Sequence, residues 1–366
     1  MSNPNSEMKP IALYLPQFHE IPENNEWWGK GFTEWTNVKK SKPVFPGHYQ
    51  PHVPLDGDYY DLTNLETMRR QADLAKSYGI YGFCFYHYWF SGKLLLEKPV
   101  EEWLASNIDF NYCLSWANEN WTRRWDGKEQ EVLMQQNYSK EDELAHIRYL
   151  MKFFNDPRYI KVGNKPVLLM YRTELHPFIK EATDIWRQEA KKAGFEDLYL
   201  IRMENFVRNQ APSLSGFDAG MEFAPDGTCQ GLKVLKKNLL RYRLSKVLHY
   251  TKVRRSGYFT NYVYDYSDLK SNMEERVTPN YTYFRCACPS WDNSPRRSQD
   301  AQIYVNISPK AFGEWIKTLK AYTEKRLSTD KQFLFINAWN EWGEGCHLEP
   351  DSKYGHQFLE ALRDNI

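Results

Sequence analysis

The sequence has no long apolar run. Nowhere in its 366 residues do about 18 apolar residues follow one another, so a membrane-spanning helix is not expected. The N-terminal residues 1–7 have neither a basic start nor an apolar stretch, so a secretory signal is not predicted either. Both absences favour a cytoplasmic protein. The charge is also balanced, with 48 Lys and Arg against 47 Asp and Glu, so we expect no nucleic-acid partner.

The six cysteines form no Cys-x-x-Cys pair. Cys84, Cys113 and Cys286 lie in apolar, strand-like runs and are predicted to be buried free thiols, which fits a reducing compartment.

The sequence also lacks the spacing of ligand residues that is typical of metal sites. His19, His87, Glu119 and His347 are residue types that bind metals, but the chain contains neither His-x-His nor His-Glu-x-x-His. We therefore expect no metal and no other cofactor.

Short apolar runs alternate with longer amphipathic stretches along the whole chain. This alternation favours a parallel sheet, and eight strand candidates favour the α/β class and a closed (β/α)8 TIM barrel. The candidates span residues 11–15, 81–86, 112–116, 167–171, 198–202, 219–223, 283–286 and 333–337. Helical patterns cover residues 65–78, 140–154, 177–193 and 309–325. Gly79 and Gly194 follow two of these helices, where a left-handed cap is expected.

The pattern predicts a single catalytic barrel domain at residues 9–366, after a disordered tail at residues 1–8. Long loop insertions follow strand one (residues 20–61) and strand six (residues 226–282). The alternative is an open doubly wound sheet, but no Gly-x-Gly-x-x-Gly follows the first strand and no Walker-type loop occurs. The triplet Asp56-Gly57-Asp58 resembles the metal–nucleotide-sugar motif of many glycosyltransferases, yet its place in a loop favours a turn.

The second insertion contains a basic segment. Residues 233–255 hold nine basic residues and no acid, and apolar side chains repeat at helical spacing at Leu232, Leu235, Leu239 and Tyr242. A basic amphipathic helix can make peripheral contact with an anionic glycan or membrane surface. The alternative that we favour is a helix packed on the barrel with a solvated basic face.

Aromatic residues make up 16% of the chain, and many stand beside hydrogen-bonding residues at the predicted strand ends. Functional residues of TIM barrels gather at the C-terminal ends of strands, and rings with polar neighbours match the mixed faces of a sugar. The candidate substrate-binding residues are Tyr14, His19, Trp35, Tyr86, His87, Trp116, Asn118, Glu119, Trp121, Glu222, Trp291, Asp292 and Trp339.

Two carboxylates follow the last predicted strand. Glu341 and Glu344 stand three residues apart in the segment Asn-Glu-Trp-Gly-Glu-Gly at residues 340–345. Glycoside cleavage needs one acid that protonates the leaving oxygen and a second carboxylate near the anomeric carbon. The alternative is a glycine-rich turn whose acids face water. The position at an eighth strand end, beside the aromatic clusters, favours a catalytic pair.

Five separated stretches carry a family resemblance: ALYLPQFH (12–19), GFTEW (31–35), WANENW (116–121), PSWDN (289–293) and NEWGEG (340–345). They resemble the WbsX-type family, which is often found with bacterial surface-polysaccharide genes and is commonly labelled a glycosyltransferase. More distantly, the chain is similar to the endo-α-1,2-mannosidases of glycoside hydrolase family 99, which are (β/α)8 barrels. Their Asn-Glu-Trp-His-Glu-Gly motif differs here at Gly343.

The resemblance implies roles for both acids. Glu341 would take the proton of a sugar 2-hydroxyl, whose oxygen attacks the anomeric carbon to give a 1,2-anhydro intermediate. Glu344 would protonate the leaving oxygen and later activate water, with retention of configuration. Mannose specificity does not transfer, because Gly343 removes a side chain from the motif.

The sequence therefore favours a retaining, endo-acting glycoside hydrolase that cleaves a bacterial surface or mannan-like polysaccharide. One alternative is a glycosyltransferase of surface-polysaccharide biosynthesis, such as that of O-antigen or capsule. A second alternative is a non-catalytic glycan-binding protein, which would not need two acids at one strand end.

Overall fold

A computed structural model describes residues 8–123, 128–207, 210–237, 239–251, 257–297 and 299–366. Its strands are β1 (Lys9–Tyr14), β2 (Gly82–Phe90), β3 (Lys93–Leu95), β4 (Asn111–Trp116), β5 (Trp121–Arg123), β6 (Lys128–Met134), β7 (Lys161–Val162), β8 (Lys165–Met170), β9 (Tyr199–Glu204), β10 (Ala219–Glu222), β11 (Tyr262–Asp265), β12 (Tyr283–Phe284), β13 (Cys286–Ala287), β14 (Gln302–Val305), β15 (Phe333–Ile336), β16 (Asn340–Glu341) and β17 (Cys346–His347).

The helices are α1 (Pro22–Trp28), α2 (Glu34–Lys40), α3 (Leu65–Ser77), α4 (Lys98–Ala105), α5 (Lys140–Phe154), α6 (Ile179–Lys192), α7 (Leu239–Tyr250), α8 (Gly257–Thr260), α9 (Tyr266–Glu274), α10 (Pro309–Arg326) and α11 (Gln357–Arg363).

The parallel strands form a closed barrel. The pairing order is β12, β10, β9, β8, β4, β2, β1, β15 and β13. A single residue, Arg285, separates β12 from β13, so these two short strands form one stave that pairs with β10 at one end and with β15 at the other. The Phe335 amide donates to the Arg285 carbonyl across 3.0 Å at this closure. Eight staves result, and the predicted (β/α)8 barrel is confirmed.

All eight predicted strands lie in these staves, and the four predicted helices correspond to α3, α5, α6 and α10. Three of the helices begin at a capping side chain: Asn64, Ser139 and Ser308 each accept a hydrogen bond from a first-turn amide. Gly79 and Gly194 have φ values of 81° and 93°, as predicted for residues after a helix end.

The two insertions pack against each other beside the barrel mouth. A small apolar cluster joins Phe45 of the first insertion to Val263, Ala301 and Ile303. The rings of Phe45 and Tyr258 stack at 4.2 Å. The insertions are therefore anchored to each other as well as to the barrel. In the first insertion, residues 55–57 form one turn of 3-10 helix, in agreement with the predicted turn.

The basic segment contains helix α7, as predicted. Leu235 is buried, and the ring of Tyr242 lies 6.0 Å from that of Phe259, but Leu232 is 63% exposed. Leu240, Val247 and Tyr250 are exposed too. Residues 252–256 lie outside the described part. Contact with an anionic glycan or membrane surface stays a prediction.

Residues 1–7 of the predicted tail lie outside the described residues, whereas Met8 is buried in the core. None of the described helices combines the length and apolar character that a bilayer crossing requires. All six cysteines are free and buried, which confirms the prediction for Cys84, Cys113 and Cys286.

Candidate active site

The C-terminal ends of the barrel strands surround a cavity of about 570 Å³. This volume lies in the range of about 300–1,000 Å³ that is usual for small-molecule sites. Each of the eight staves contributes a lining residue from its C-terminal half or from the segment that follows it, in the order Leu15, Tyr88, Ala117, Tyr171, Asn205, Phe223, Trp291 and Glu341. The cavity therefore occupies the face where TIM barrels carry their active sites.

Glu341 and Glu344 both line this cavity. They belong to a tight turn after β15, in which β16 pairs with β17 and residues 342–344 form a turn of 3-10 helix. Gly345 ends that turn at φ 54°, a left-handed conformation that favours glycine. Asn340 fixes the turn to β1, because its side chain accepts from the Leu15 amide at 2.7 Å and donates to the Leu15 carbonyl at 3.0 Å.

A single guanidinium bridges the two glutamates. Arg296 Nη2 donates to Glu341 Oε2 and Arg296 Nη1 contacts Glu344 Oε1, both at 2.8 Å. The third nitrogen, Nε, donates to Glu34 Oε1, also at 2.8 Å. The side chain of Arg296 is 15% exposed, compared with 8% for Glu341 and 22% for Glu344. The cluster thus contains three carboxylates and one cation.

Burial shapes the protonation of this pair. Burial raises the pKa of Glu341 to about 8, with Arg296 acting against the shift and Glu344 and Glu34 adding to it. Burial also raises the pKa of Glu344, again against the charge of Arg296. Two neighbouring carboxyls with raised pKa values favour a state with one proton and one negative charge. Such a state supplies one acid and one base in the same cavity.

The cavity wall combines rings with unpaired donors. Tyr88 and Trp121 pack edge to face at 5.3 Å, and Phe206 covers the guanidinium of Arg172 at 3.5 Å. Within the described residues, Gln17 Nε2 and Trp291 Nε1 are buried without a hydrogen-bond partner. Because buried polar groups are normally hydrogen-bonded, these donors are available to a polar ligand in the cavity.

Six of the residues predicted from the sequence line the cavity together: Tyr86, Glu119, Trp121, Trp291, Glu341 and Glu344. Three others point from their strands toward the helices. Tyr14 donates to Gln71 of α3 at 2.6 Å, His87 meets His146 of α5 at 3.0 Å, and Trp116 packs on Trp186 of α6. The reason is the alternation of side chains along a strand.

Four more candidates lie outside the lining, three of them in loops and Trp35 on helix α2. His19 Nδ1 lies 3.0 Å from the Pro16 carbonyl, and Trp35 donates to the Tyr60 carbonyl at 2.8 Å. Asn118 accepts from the Arg172 amide at 2.8 Å, and Trp339 donates to Glu349 at 3.0 Å. Each of these side chains fixes a loop by its hydrogen bond.

The last two candidates are buried acids. Glu222 accepts from Arg285 Nε at 2.8 Å, below the cavity. Asp292 accepts from His48 at 2.6 Å and from Gln50 at 2.7 Å. Burial alone would raise the pKa of Asp292, but the hydrogen bond and charge of His48 lower it. Both acids therefore hold neighbouring segments in place.

Some lining residues were not found from the sequence: Gln17, Tyr88, Tyr171, Phe206, Phe223 and Arg296. Tyr88 stands two residues after Tyr86, so strand alternation could have identified it. Arg296 lies three residues after the motif at 289–293, and its sequence carries no signal for its three partners.

The four residues considered as metal ligands do not meet. Among the described residues, one other group of potential ligands converges: His52, His347 and Asp351, all buried, with ligand atoms within 4.8 Å of one another. His52 Nδ1 lies 2.9 Å from His347 Nε2, and Asp351 accepts from Tyr49 at 3.1 Å. These hydrogen bonds link the first insertion to the loop after β17.

Comparisons with known proteins agree with this architecture. The chain is 14% identical to a solved "Glycoside hydrolase-like protein" at a TM-score of 0.58, covering 100% of this chain and 95% of that one. It is 13% identical to the GH99 endo-alpha-mannosidase from Bacteroides thetaiotaomicron at a TM-score of 0.54, covering 97% and 94%. At these identities the likeness shows the fold.

The sequence relatives are closer. The chain is 40% identical over 357 residues to "Uncharacterized protein WxcX" of Xanthomonas campestris pv. campestris, in strain B100 and in strain ATCC 33913. The match covers 97% of this chain and 49% of each relative, so the chain spans about half their length. The family described as "Glycosyltransferase WbsX" matches residues 10–362. The chain therefore belongs to the WbsX family.

Proposed function

We propose that this protein is a retaining, endo-acting glycoside hydrolase that cleaves a bacterial surface or mannan-like polysaccharide. The observation that carries the proposal is the pair of glutamates that share Arg296 in the cavity at the strand ends. Their raised pKa values support one proton-donating and one proton-accepting group at neutral pH.

The proposed reaction has two steps. In the first, the pair reacts in the form whose single proton lies on Glu344, although burial raises the pKa of Glu341 to about 8. The Glu341 carboxylate takes the proton of the sugar 2-hydroxyl while that oxygen attacks the anomeric carbon. The bond from that carbon to the leaving oxygen breaks, and Glu344 donates its proton to the leaving group. In the second, Glu344 takes a proton from water, which opens the 1,2-anhydro ring, and Glu341 returns its proton to the 2-oxygen. Two inversions at the anomeric carbon give retention.

The flanking rings support action within a polymer. Stave order places Trp291 on one side of the glutamates and Tyr86 and Tyr88 on the other. Rings on both sides offer surfaces for sugars before and after the cleaved bond. Gln17 Nε2 and Trp291 Nε1 would donate to sugar oxygens, since they lack other partners among the described residues.

A glycosyltransferase is the second candidate, and the family's description favours it. Transfer from a nucleotide-sugar would need a site for its phosphates. The segment that follows β1 is Leu15-Pro16-Gln17, which lacks the glycines of a phosphate-binding turn. This local sequence supports hydrolysis, or transfer between glycans, over use of a nucleotide-sugar.

A product assay tests the proposal. The protein and its Glu341→Gln and Glu344→Gln variants would be incubated with bacterial surface polysaccharides and mannans, and NMR would report the anomeric configuration of first-formed products. We expect oligosaccharides with retained configuration, and at least a hundredfold slower release by either variant, about 2.7 kcal/mol. Product formation that requires a nucleotide-sugar would favour the transferase, and binding without turnover would favour a glycan-binding protein.

A further inference from the structure

Glu34 enters the site from the first insertion. It begins helix α2, and its side chain is fully buried. Its Oε1 accepts from Arg296 Nε at 2.8 Å, while Oε2 has no hydrogen-bond partner within the described residues. Since buried charges are normally paired, Arg296 is the ion-pair partner of this buried side chain.

Glu34 also fills the space beside Gly343. A Cβ built on Gly343 would lie 1.6 Å from Glu34 Oε1 and 2.8 Å from Arg296 Nε. Gly343 does not have the positive φ of Gly345, so its backbone conformation does not require glycine. The reason for glycine at this position is the ion pair that occupies the side-chain volume.

Arg296 is well suited to fix two carboxylates at once. Its guanidinium is planar, and its three nitrogens each contact one carboxylate at 2.8 Å. A planar fork sets the directions of its partners, which the compact charge of a lysine does not do. The bond to Glu34 uses Nε and leaves Nη1 and Nη2 for the two glutamates of the cavity.

We infer that Arg296 is a positioning residue, locked in place by Glu34, that sets the orientation and charge of Glu341 and Glu344, and that Gly343 is small to admit Glu34. A role of Arg296 in catalysis rests on the proposed function. Its positioning of the two glutamates rests only on the geometry of the structure.

Other groups also face the pair. They are Tyr86 and Tyr88 on β2, Tyr171 after β8, Cys346 on β17 and Arg297 next to Arg296. Burial raises the pKa of Tyr86, Tyr88, Tyr171 and Cys346, so these groups stay protonated at neutral pH. Arg297 and Arg296 supply the positive charge, and Glu34 is the remaining carboxylate of the cluster.

Removal of Arg296 and removal of Glu34 should have opposite effects. In Arg296→Met the glutamates lose a cation, so the pKa values of Glu341 and Glu344 should rise. In Glu34→Gln they lose an anion, so both pKa values should fall. A charge within about 4–6 Å shifts a pKa by about one to three pH units, and Arg296 contacts all three carboxylates at 2.8 Å. A loss of packing alone would not produce shifts of opposite sign.

Titration by NMR measures both effects without a substrate. The protein would be labelled with ¹³C at the glutamate side-chain carboxyl, and the Glu341→Gln and Glu344→Gln spectra would assign the two signals. We expect higher titration midpoints in Arg296→Met and lower ones in Glu34→Gln, with a shift of about one pH unit or more in each. Midpoints that stay unchanged, or that move in the same direction in both variants, would overturn the inference.

Gly343→Ala is a second test that holds if Arg296→Met does not fold. The added methyl group should displace Glu34 from Arg296 and lower the titration midpoints of Glu341 and Glu344, as in Glu34→Gln. In a protein that already carries Glu34→Ala, Gly343→Ala should cause no further shift of these midpoints. Gly227→Ala is the matched control, because it lines the same cavity and its Cβ would meet only Gln230 at 3.6 Å. A Gly343→Ala effect that persists without Glu34 would contradict the inference.

These titrations separate the two proposals. Shifts of opposite sign in a protein that cleaves no glycan would leave the positioning role intact and reject the hydrolase. Glycan cleavage by a protein whose titration midpoints do not shift in these variants would support the hydrolase and reject the positioning role.

Discussion

His87 of β2 and His146 of α5 stack on the helical side of the barrel, with their Nε2 atoms 3.0 Å apart. The neighbours of His87 in sequence, Tyr86 and Tyr88, line the cavity on the other side of the strand. Because successive side chains of a strand alternate between faces, residues of β2 that face the cavity alternate with residues that pack against the helices.

This alternation predicts different effects for adjacent residues. Tyr88→Ala should weaken glycan binding at least tenfold, about 1.4 kcal/mol, because the cavity loses a ring. Calorimetric titration of the Glu341→Gln protein with the oligosaccharide product would measure the affinity. His87→Gln is the control: it should lower the free energy of unfolding by about 1–3 kcal/mol and leave the affinity unchanged. Equal losses of affinity would contradict the assignment of the two faces.

The barrel could be predicted from the sequence because its signals are local. Each stave is a short apolar run, and helices such as α5 begin at a polar cap and carry a regular apolar face. The place of Glu341 and Glu344 in the strand-end cavity could also be predicted, since both belong to one turn that follows a strand.

Partners that come from distant parts of the chain could not be predicted. Glu34 and Arg296 are 262 residues apart in sequence, and their contact depends on how the first insertion and the segment between β13 and β14 fold over the barrel. Similarly, Glu222 and Asp292 have the residue type of substrate ligands, but Arg285 and His48 hold them below the surface of the cavity. The sequence therefore predicts the chemical type of Glu222 and Asp292 but not the direction in which each side chain points.

Glu222 offers a test of its structural role. Its side chain is fully buried beside Arg285 and Arg276. Arg276 also pairs with Asp226, so Glu222→Ala would remove the carboxylate partner of the buried Arg285 above all. We expect a loss of about 3–5 kcal/mol in the free energy of unfolding, measured by urea denaturation. Glu119→Ala is the comparison, since Glu119 pairs with Arg172 at the partly exposed cavity wall. It should cost about 1 kcal/mol or less but weaken glycan binding. The reverse order of stabilities would contradict both assignments.

The six buried cysteines should be unreactive in the native protein. Burial raises the pKa of Cys84, Cys286 and Cys346, which keeps these thiols protonated, and only the thiolate attacks a disulfide reagent. Native protein should therefore react with Ellman's reagent far more slowly than glutathione does. In denaturant, six thiols per chain should react at once. Rapid labelling of native protein would show that one of these sites opens to solvent.

The pKa of Glu341 predicts how its removal affects stability. A carboxyl group with a higher pKa in the folded state binds more protons when folded, so stability falls as the pH rises between its two pKa values. For Glu341 this window extends from the ordinary 4.5 to about 8. Across the window, the wild-type protein should lose up to about 1.4 kcal/mol per pH unit relative to Glu341→Gln. Denaturant unfolding of both proteins at a series of pH values measures this difference.

Glu101 provides a control of opposite sign. Burial alone would raise the pKa of Glu101, but hydrogen bonds from Lys152 and Tyr149 lower it. Because the pKa of Glu101 is lower in the folded protein, its carboxylate stabilises the fold at pH values above the ordinary pKa of glutamate. This stability is lost as the pH falls. Glu101→Gln should therefore become less stable relative to the wild-type protein as the pH rises from acid to neutral, while Glu341→Gln becomes more stable. Parallel trends in the two variants would mean that Glu341 is ionised in the folded protein throughout, and that burial does not govern the pKa of Glu341.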